Sequence, residues 1–164
     1  MTDNVDAETR RRTMAAVKSG NTVPEVRLRR ALHARGLRYR LHVKGLAGSP
    51  DLVFPARRAA VFVHGCFWHG HDCGACRIPQ TNREYWTGKI ERNVRRDRAS
   101  AETLAAEGWR VATVWECALR GPKKLPLEEV AGAVAAWLRA GGAPTLDVRG
   151  VAAEGRARDR GERA

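Results

Sequence analysis

Apolar residues recur at helical spacing in two stretches near the start of the chain. The first stretch, residues 6–18, is rich in arginine and predicts a short basic helix. The second begins at Thr22, where Glu25 gives the form of a capping box and Pro24 lies in the first turn. It predicts a helix that ends at Gly36. The apolar face of this helix would consist of Val26, Leu28, Leu32 and Leu37.

Short apolar runs separated by glycine and proline follow the second helix. They predict three strands, Tyr39–Val43, Asp51–Phe54 and Ala59–Val63. The segments between them contain Gly-Ser-Pro and Pro-Ala-Arg-Arg, which are typical of turns. Three strands in close succession indicate a meander.

The helical period returns after a loop over residues 65–79. Asn82 is a candidate N-cap for a long helix that Gly108 ends. Beyond this helix, Arg110–Glu116 predicts a strand and Leu127–Leu138 a last helix. The apolar face of the long helix would consist of Trp86, Ile90, Val94, Ala101 and Leu104.

The order of these elements predicts a single α/β domain with a mixed sheet. The strand after the long helix requires a crossover connection, which is how parallel strands are joined. We expect a basic N-terminal arm or helix over residues 1–20 and the folded domain over 21–140. Residues 141–164 have too few apolar positions to pack, so they are predicted to be a disordered tail.

Composition and charge exclude some classes of protein and indicate a class of partner. A chain of 164 residues with 43% hydrophobic residues can form one packed domain, so disorder throughout is excluded. The first residues contain no apolar signal region, which predicts a protein that is neither secreted nor in a membrane. Lys and Arg number 30 against 18 Asp and Glu, a net charge of +12. So basic a domain indicates a polyanionic partner such as nucleic acid.

The cysteines cluster as metal ligands do. Cys66, Cys73 and Cys76 lie close together with His69 and His71, whereas Cys117 is distant in sequence. Zinc takes four such ligands in a tetrahedron, and a reducing compartment disfavours disulfides. Two ligand sets are open: Cys66 with His71 and Cys73, or a set that uses the Cys73-x-x-Cys76 pair, each with Cys117 as the distant ligand.

A second metal site is predicted near the second and third strands. Asp51 opens one strand and Val63 nearly ends the next, so a carboxylate and main-chain carbonyls could hold magnesium. His64 and His69 lie beside the cysteine-rich loop and are candidates for proton transfer or phosphate contact. His33 and His42 fall within helix and strand patterns and receive no functional role.

Three aromatic residues are candidates for contact with bases. Phe67 and Trp68 lie in a loop that looks too short and polar to bury both, which favours rings inserted between base steps. Trp86 fits this role and core packing equally well, whereas packing is the interpretation for Trp109, Trp115 and Trp137. Basic residues over 83–98 could follow a phosphate backbone or form a solvated helix face.

The motif His64-Gly65-Cys66-Phe67-Trp68-His69, followed by His71, Cys73, Pro79 and Thr81, resembles the very short patch repair (Vsr) DNA mismatch endonucleases. The resemblance extends to Gly108–Val111 and to Trp115-Glu116-Cys117-Ala118-Leu119. It implies the αβββαβ core of restriction-like nucleases with a structural zinc site. It further implies a magnesium-dependent enzyme that nicks one strand beside the thymine of a T:G mispair, which arises when 5-methylcytosine is deaminated.

The resemblance also implies roles for individual residues at the reaction centre. Asp51 matches the magnesium ligand, His69 the base for the attacking water, and His64 a contact to the phosphate or leaving group. Glu25 matches an accessory acidic residue. Val63 stands where the family often has threonine, but the expected magnesium ligand is the main-chain carbonyl, which valine also supplies.

Further positions match zinc and DNA contacts of the family. The zinc ligands fall on Cys66, His71, Cys73 and Cys117, with Cys76 as an additional thiol that keeps the second ligand set open. The intercalating aromatics fall on Phe67, Trp68 and Trp86. Lys89 and Asn93 match positions of mismatch recognition.

The expected partner is double-stranded DNA that contains a T:G mismatch, with mismatch-repair proteins as further candidates. We expect a monomer that acts on the nucleoid in the bacterial cytoplasm. Two alternatives are a zinc-stabilised module that binds distorted duplex without cutting it, and a nuclease of the same fold with ordinary restriction specificity.

Overall fold

The computed structural model describes residues 6–16, 20–74 and 76–151 of the chain. Within these residues, seven helices and strands coincide with predicted ones to within two residues at each end. The helices are α1 (Ala7–Ala16), α2 (Val23–Ala34), α3 (Arg83–Ala106), α4 (Glu116–Leu119) and α5 (Leu127–Ala140). The strands are β1 (Leu52–Phe54), β2 (Ala59–His64), β3 (Arg110–Trp115) and β4 (Thr145–Val148).

The four strands form one mixed sheet in the order β1-β2-β3-β4. β1 is antiparallel to β2, whereas β2, β3 and β4 run parallel to one another. Helix α3 makes the crossover from β2 to β3, and α5 makes the one from β3 to β4. The mixed sheet with a crossover after the long helix is therefore confirmed.

The two faces of the sheet carry different side chains because successive residues of a strand point to opposite sides. Ala59 and Val61 of β2 face the larger core, into which α2 and α5 pack. Ala60 and Phe62 face a smaller core with Leu104 of α3. His64 follows Ala60 and Phe62 at intervals of two, which places its side chain on the α3 side.

Helix α2 begins as a partial capping box. The Thr22 Oγ accepts a hydrogen bond from the Glu25 N–H at 3.4 Å. The Glu25 carboxylate does not return this contact and instead accepts from Arg29. Leu28 and Leu32 of α2 are fully buried, so truncating either to alanine would cost about 2 to 5 kcal/mol.

The first predicted strand is wrong. Over residues 39–43 only Arg40 pairs, in an isolated bridge with Val53 whose N···O distances are 2.8 and 3.0 Å. His42 follows with a positive φ of 52°, and the next residues form turns. The turn conformation interrupts the extended chain, so the meander is reduced to a β1–β2 hairpin.

The prediction of a disordered tail from residue 141 is wrong over β4. This strand pairs with β3, and Val148 is buried against the larger core. Only Leu146 and Val148 are apolar in β4, so its alternation is too short to distinguish from loop sequence. Residues 152–164 lie outside the described residues, as do residues 17–18 of the first predicted helix.

Two smaller expectations are also corrected. Asn82 precedes α3 with a φ of 55° and its side chain makes no capping hydrogen bond. Trp115 is half-buried against histidine rings rather than packed in either core. No helix among the described residues is both long and apolar enough to cross a membrane.

Candidate active site and metal centre

An open cleft of about 1270 Å³ lies at the carboxyl end of β2, beside the start of α2. Parallel strands such as β2 and β3 end at the same edge of the sheet, where side chains from several elements can converge. The cleft brings together all five residues that the sequence assigns to catalysis and magnesium binding: Glu25, Asp51, Val63, His64 and His69. His42, to which the sequence assigns no functional role, also lines the cleft.

Asp51 is held at the base of this cleft by a strand amide. Its Oδ2 accepts a hydrogen bond from the Val63 N–H at 2.7 Å. Burial raises the pKa of Asp51 to about 6, and the charge of Glu25 adds to the rise, against the opposing effects of the Val63 amide and His69. A nearby cation would favour the charged form, so the carboxylate is suited to bind a metal ion.

Glu25 is the buried acidic residue of the described chain, with 3% of its surface exposed. Its Oε1 lies 3.1 Å from Nη1 of Arg29, one turn further along α2. The same guanidinium nitrogen donates to Oδ1 of Asn21 at 2.6 Å. The arginine compensates a carboxylate that burial would otherwise penalise.

His69 is paired with Asp97, an α3 residue that sequence analysis did not single out. The His69 Nδ1 lies 2.5 Å from Oδ2 of Asp97. Burial alone would raise the pKa of Asp97, but the hydrogen bond and positive charge of His69 hold it below its usual value. Because an ionised carboxylate only accepts hydrogen bonds, Nδ1 of His69 carries a proton, and in the neutral form of the ring Nε2 is the nitrogen that can accept one.

A signal for Asp97 was present in the helical pattern. Val94, Asp97 and Ala101 follow one another at intervals of three and four, so Asp97 lies on the inward face of α3. A charged residue at such a position requires a partner inside the fold.

His64 lies against His69 with the two rings stacked, 3.8 Å between centroids and 3° between planes. Burial, together with the charge of His69, lowers the pKa of His64 to about 4, while the charge of Asp97 opposes the shift. His64 is therefore neutral near pH 7 and can serve as a hydrogen-bonding group.

A Cys/His cluster adjoins the cleft. The ligand atoms of Cys66, His71, Cys73 and Cys117 all lie within 4.8 Å of one another, and these residues could hold a metal ion. Nδ1 of His71 is 3.4 Å from Sγ of Cys66 and 3.6 Å from Sγ of Cys117. Burial raises the pKa of the Cys66 thiol, a cost that a bound cation would offset. Three thiols and an imidazole are the donor set that a soft or borderline metal prefers.

This cluster matches the first of the two predicted ligand sets. Cys76 lies outside the group of four, although its thiol contacts that of Cys73. The structure therefore gathers His71 with three cysteines and leaves Cys76 as a neighbour.

The cluster is closed by the segment after β4. The Gly150 N–H donates to Sγ of Cys117 at 3.3 Å, and the Val151 N–H donates to the Lys123 carbonyl. A Cβ at Gly150 would lie 2.5 Å from the Cys117 carbonyl oxygen and 2.6 Å from that of Lys123. Only glycine fits this approach, which sequence analysis missed because it treated the region as unstructured.

The three candidate aromatics form one cluster beside the cleft. The rings of Phe67 and Trp68 meet edge to face at 5.0 Å, and both contact Trp86. Phe67 and Trp68 are half-buried rather than exposed, because they pack on each other and on α3. Trp86 is 7% exposed, and within the described residues its Nε1 has no hydrogen-bond partner.

The candidate mismatch-recognition residues, Lys89 and Asn93, lie on α3, the helix that also carries Trp86. The Asn93 side chain donates to the Trp68 carbonyl at 2.9 Å, which fixes the aromatic loop against α3. Lys89 is half-buried on α3 and Arg96 lines the cleft. The aromatic cluster and the cleft therefore share one basic helix.

The fold is similar to that of a known endonuclease. The catalytic domain of homing endonuclease I-Bth0305I superposes with a TM-score of 0.50 at 18% identity, over 75% of this chain and 100% of that domain. At this identity the likeness shows the fold alone. Because a fold does not by itself define a function, the class of the protein has to come from its sequence relatives.

Sequence comparison gives the family. The family model described as DNA mismatch endonuclease Vsr matches residues 2–75. The DNA mismatch endonuclease Vsr of Escherichia coli is 41% identical over 152 residues, which is 92% of this chain and 97% of that protein. The type II nicking enzyme V.XorIIP of Xanthomonas oryzae is 54% identical over 119 residues, 73% of this chain and 88% of that protein. The chain therefore belongs to the Vsr family of DNA mismatch endonucleases, and the resemblance found in its motifs is confirmed.

Proposed function

We propose that this protein nicks one DNA strand beside the thymine of a T:G mispair produced by deamination of 5-methylcytosine, and so initiates very short patch repair. The observation that carries this proposal is that Asp51, His64 and His69 line one cleft next to the aromatic cluster of Phe67 and Trp68. The names of the relatives, a mismatch endonuclease and nicking enzymes, support the same activity.

Magnesium is the metal we assign to the cleft. Asp51 would hold it through the oxygen that does not accept from the Val63 amide, and the Val63 main-chain carbonyl would be a second ligand. Magnesium supplies charge that stabilises the scissile phosphate and makes water easier to deprotonate. Glu25, buried beside Asp51, adds negative charge that favours a cation at this place.

His69 is the residue we assign to proton removal. Its Nε2 can accept a proton from the attacking water because Asp97 keeps the proton of the neutral ring on Nδ1. The ionised Asp97 also stabilises the imidazolium that forms. His64, neutral and stacked on His69, would donate a hydrogen bond to the phosphate or leaving group.

Zinc is the metal we assign to the Cys/His cluster, with Cys66, His71, Cys73 and Cys117 as its four ligands. Four protein ligands close the coordination sphere, as in structural zinc sites. Its role would be to fix the loop that carries Phe67, Trp68 and His69.

Mismatch selection would come from the aromatic cluster. Opening a base step costs a few kcal/mol, and the cost is lower at a mispair than in intact duplex. Phe67, Trp68 and Trp86 would enter the weakened step, and Lys89 and Asn93 would contact the mismatch. The unpaired indole N–H of Trp86 would gain a partner if the ring moved onto DNA.

We further propose a monomer that acts on bacterial DNA in the cytoplasm, with mismatch-repair proteins as candidate partners. The net charge of +12 supports the DNA partner.

A nicking assay on end-labelled duplexes tests the function. A T:G duplex with magnesium should be cut in the thymine strand only, and a chelator of magnesium should stop the reaction. Binding without cutting would favour the DNA-binding module, and cleavage of both strands of a C:G duplex would favour restriction specificity. Either result would contradict the proposal.

A further inference from the structure

A row of four aromatic rings connects the catalytic histidines with the Cys/His cluster. His69 stacks on His64 at 3.8 Å, the edge of His64 meets Trp115 at 5.5 Å and 70°, and Trp115 stacks on His71 at 4.1 Å and 10°. The contact between His64 and Trp115 results from the strand pairing, because these two residues are neighbours in the register of the parallel strands β2 and β3.

His64 depends on this row for its orientation. Within the described part of the chain, no hydrogen bond reaches its ring, which packs on the rings of His69, Phe62 and Trp115 and has a nitrogen within 4.8 Å of an Asp97 carboxylate oxygen. His69 differs, since Asp97 fixes its Nδ1. A ring without a hydrogen bond is held by packing alone, and its rotamer changes when a packing partner is lost.

Trp115 is itself fixed on two sides. Its indole Nε1 donates to Oδ1 of Asp147 in β4 at 2.7 Å, and its face packs on His71. The position of Trp115 is therefore fixed by Asp147 of β4 and by His71 of the Cys/His cluster. His64 packs against this fixed ring.

We propose that Trp115 is a positioning residue for the nicking reaction: it holds His64 in register with His69 and ties both rings to the Cys/His cluster. The expected effect on the nicking rate rests on the proposed function. It gives Trp115 a role in the chemical step through His64, and it makes Asp147, through its hydrogen bond, part of the same support.

Substitution of Trp115 by leucine and by phenylalanine separates positioning from folding. Trp115→Leu removes the ring, so the single-turnover nicking rate on a T:G duplex should fall about 10- to 100-fold, with zinc content and duplex affinity retained. Trp115→Phe keeps a ring in the row but loses the indole N–H that bonds Asp147, so its rate should lie between that of the wild type and that of Trp115→Leu. The matched control is Trp109→Leu, the same change at the opposite end of β3, where the ring packs on Arg58.

The control should lower stability without lowering the nicking rate. An unchanged rate in Trp115→Leu, or an equal loss in Trp109→Leu, would overturn the proposal. A nicking rate for Trp115→Phe that is no higher than that for Trp115→Leu would also overturn it.

A second readout does not depend on nicking. In zinc-loaded protein without DNA, the His64 ring signals in proton–carbon NMR spectra should shift in Trp115→Leu and in Asp147→Ala, and stay unchanged in Trp109→Leu. Asp147→Ala leaves the core side chains in place, so it can replace Trp115→Leu in this measurement if that variant does not fold. Unshifted His64 signals in a folded variant would contradict the role of Trp115. If instead the wild type nicks no duplex, the proposed function fails while these spectra still report on the positioning.

Discussion

At the scale of single residues, the carboxylate of Asp51 combines a functional position with a cost to stability. Burial raises its pKa to about 6 in the folded protein, above the value of 3.8 in an unfolded chain. The contribution of such a group is most favourable below pH 4, and stability is lost as the pH rises from there to about 6. The proposed metal ligand is therefore a source of instability while its carboxylate is ionised without a cation beside it.

We predict that Asp51→Asn abolishes nicking but stabilises the magnesium-free protein. Above pH 6 its free energy of unfolding should exceed that of the wild type by about 1 to 3 kcal/mol, because the amide cannot ionise. The difference should shrink below pH 6 and vanish below pH 4. Denaturant unfolding across this range measures it, with the exposed Glu102→Gln as the control. A destabilised Asp51→Asn at pH 8 would contradict the assignment.

Asp97 leads to a prediction about the proton on His69. In Asp97→Asn the amide can donate to Nδ1, which moves the proton of the neutral ring to Nε2 and removes the acceptor for water. The single-turnover rate should fall by about two to four orders of magnitude, as it should in His69→Ala, while affinity for the T:G duplex is unchanged. A loss confined to affinity would place this pair outside the reaction.

One residue of the candidate active site was found only in the structure, and one was found with a different role. Asp97 contacts a partner that is distant in sequence, His69, so no local motif marks it. Trp115 lies in a motif, but its contact with Asp147 is equally distant in sequence, so the sequence indicated only packing. Asp51, His64 and His69 were found because they belong to, or lie near, a dense motif of metal-binding residue types.

At the scale of elements, long runs of apolar residues at regular spacing predicted helices correctly, whereas short runs did not predict strands reliably. Helices α3 and α5 have several apolar positions each at helical spacing, and the structure contains both. β4 has two apolar residues, and its stability comes from pairing with β3, which local sequence does not report. The strand predicted over 39–43 failed for the same reason, since only Arg40 found a pairing partner.

The loop that forms the Cys/His cluster gives a prediction about its ligands. We expect one tightly bound zinc in the wild type and in Cys76→Ser, because Cys76 lies outside the group of four. His71→Ala should lose zinc. Elemental analysis of the purified variants decides between the two ligand sets, and loss of zinc from Cys76→Ser with retention in His71→Ala would reverse the assignment.

The segment after β4 gives a prediction about the end of the domain. Gly150→Ala should weaken zinc retention, because a Cβ there collides with the Cys117 and Lys123 carbonyls. A chain that ends at Val151 should keep wild-type zinc and nicking, since Gly150 and Val151 make the backbone contacts that close the cluster. Zinc release to a competing chelator measures the first effect. Reduced nicking by a stable truncated chain would show that residues 152–164 contribute to DNA binding.

At the scale of the whole molecule, a strongly basic protein binds every duplex, so selectivity must come from a smaller region. Charge contributes affinity without regard to sequence, whereas the aromatic cluster would act only where a base step opens easily. Helix α3 carries Trp86 of the aromatic cluster and several basic residues, and its Arg96 and Asp97 line the cleft.

We predict that Trp68→Ala and Arg95→Ala affect activity in different ways. Trp68→Ala should reduce nicking of a T:G duplex more than it reduces background cutting of a C:G duplex. Arg95, exposed on α3, should contribute phosphate attraction, so its loss should weaken both substrates alike and reduce the salt dependence of binding. Loss of Trp68→Ala activity in proportion to loss of stability would assign the ring to packing.

The most direct test of the central claim is the ratio of nicking rates on matched T:G and C:G duplexes, with the cut mapped to the nucleotide. We predict a magnesium-dependent cut beside the thymine of the T:G duplex, at a rate far above that on C:G, and no cut by Asp51→Asn. Equal rates on the two duplexes, or undiminished cutting by Asp51→Asn, would contradict the account.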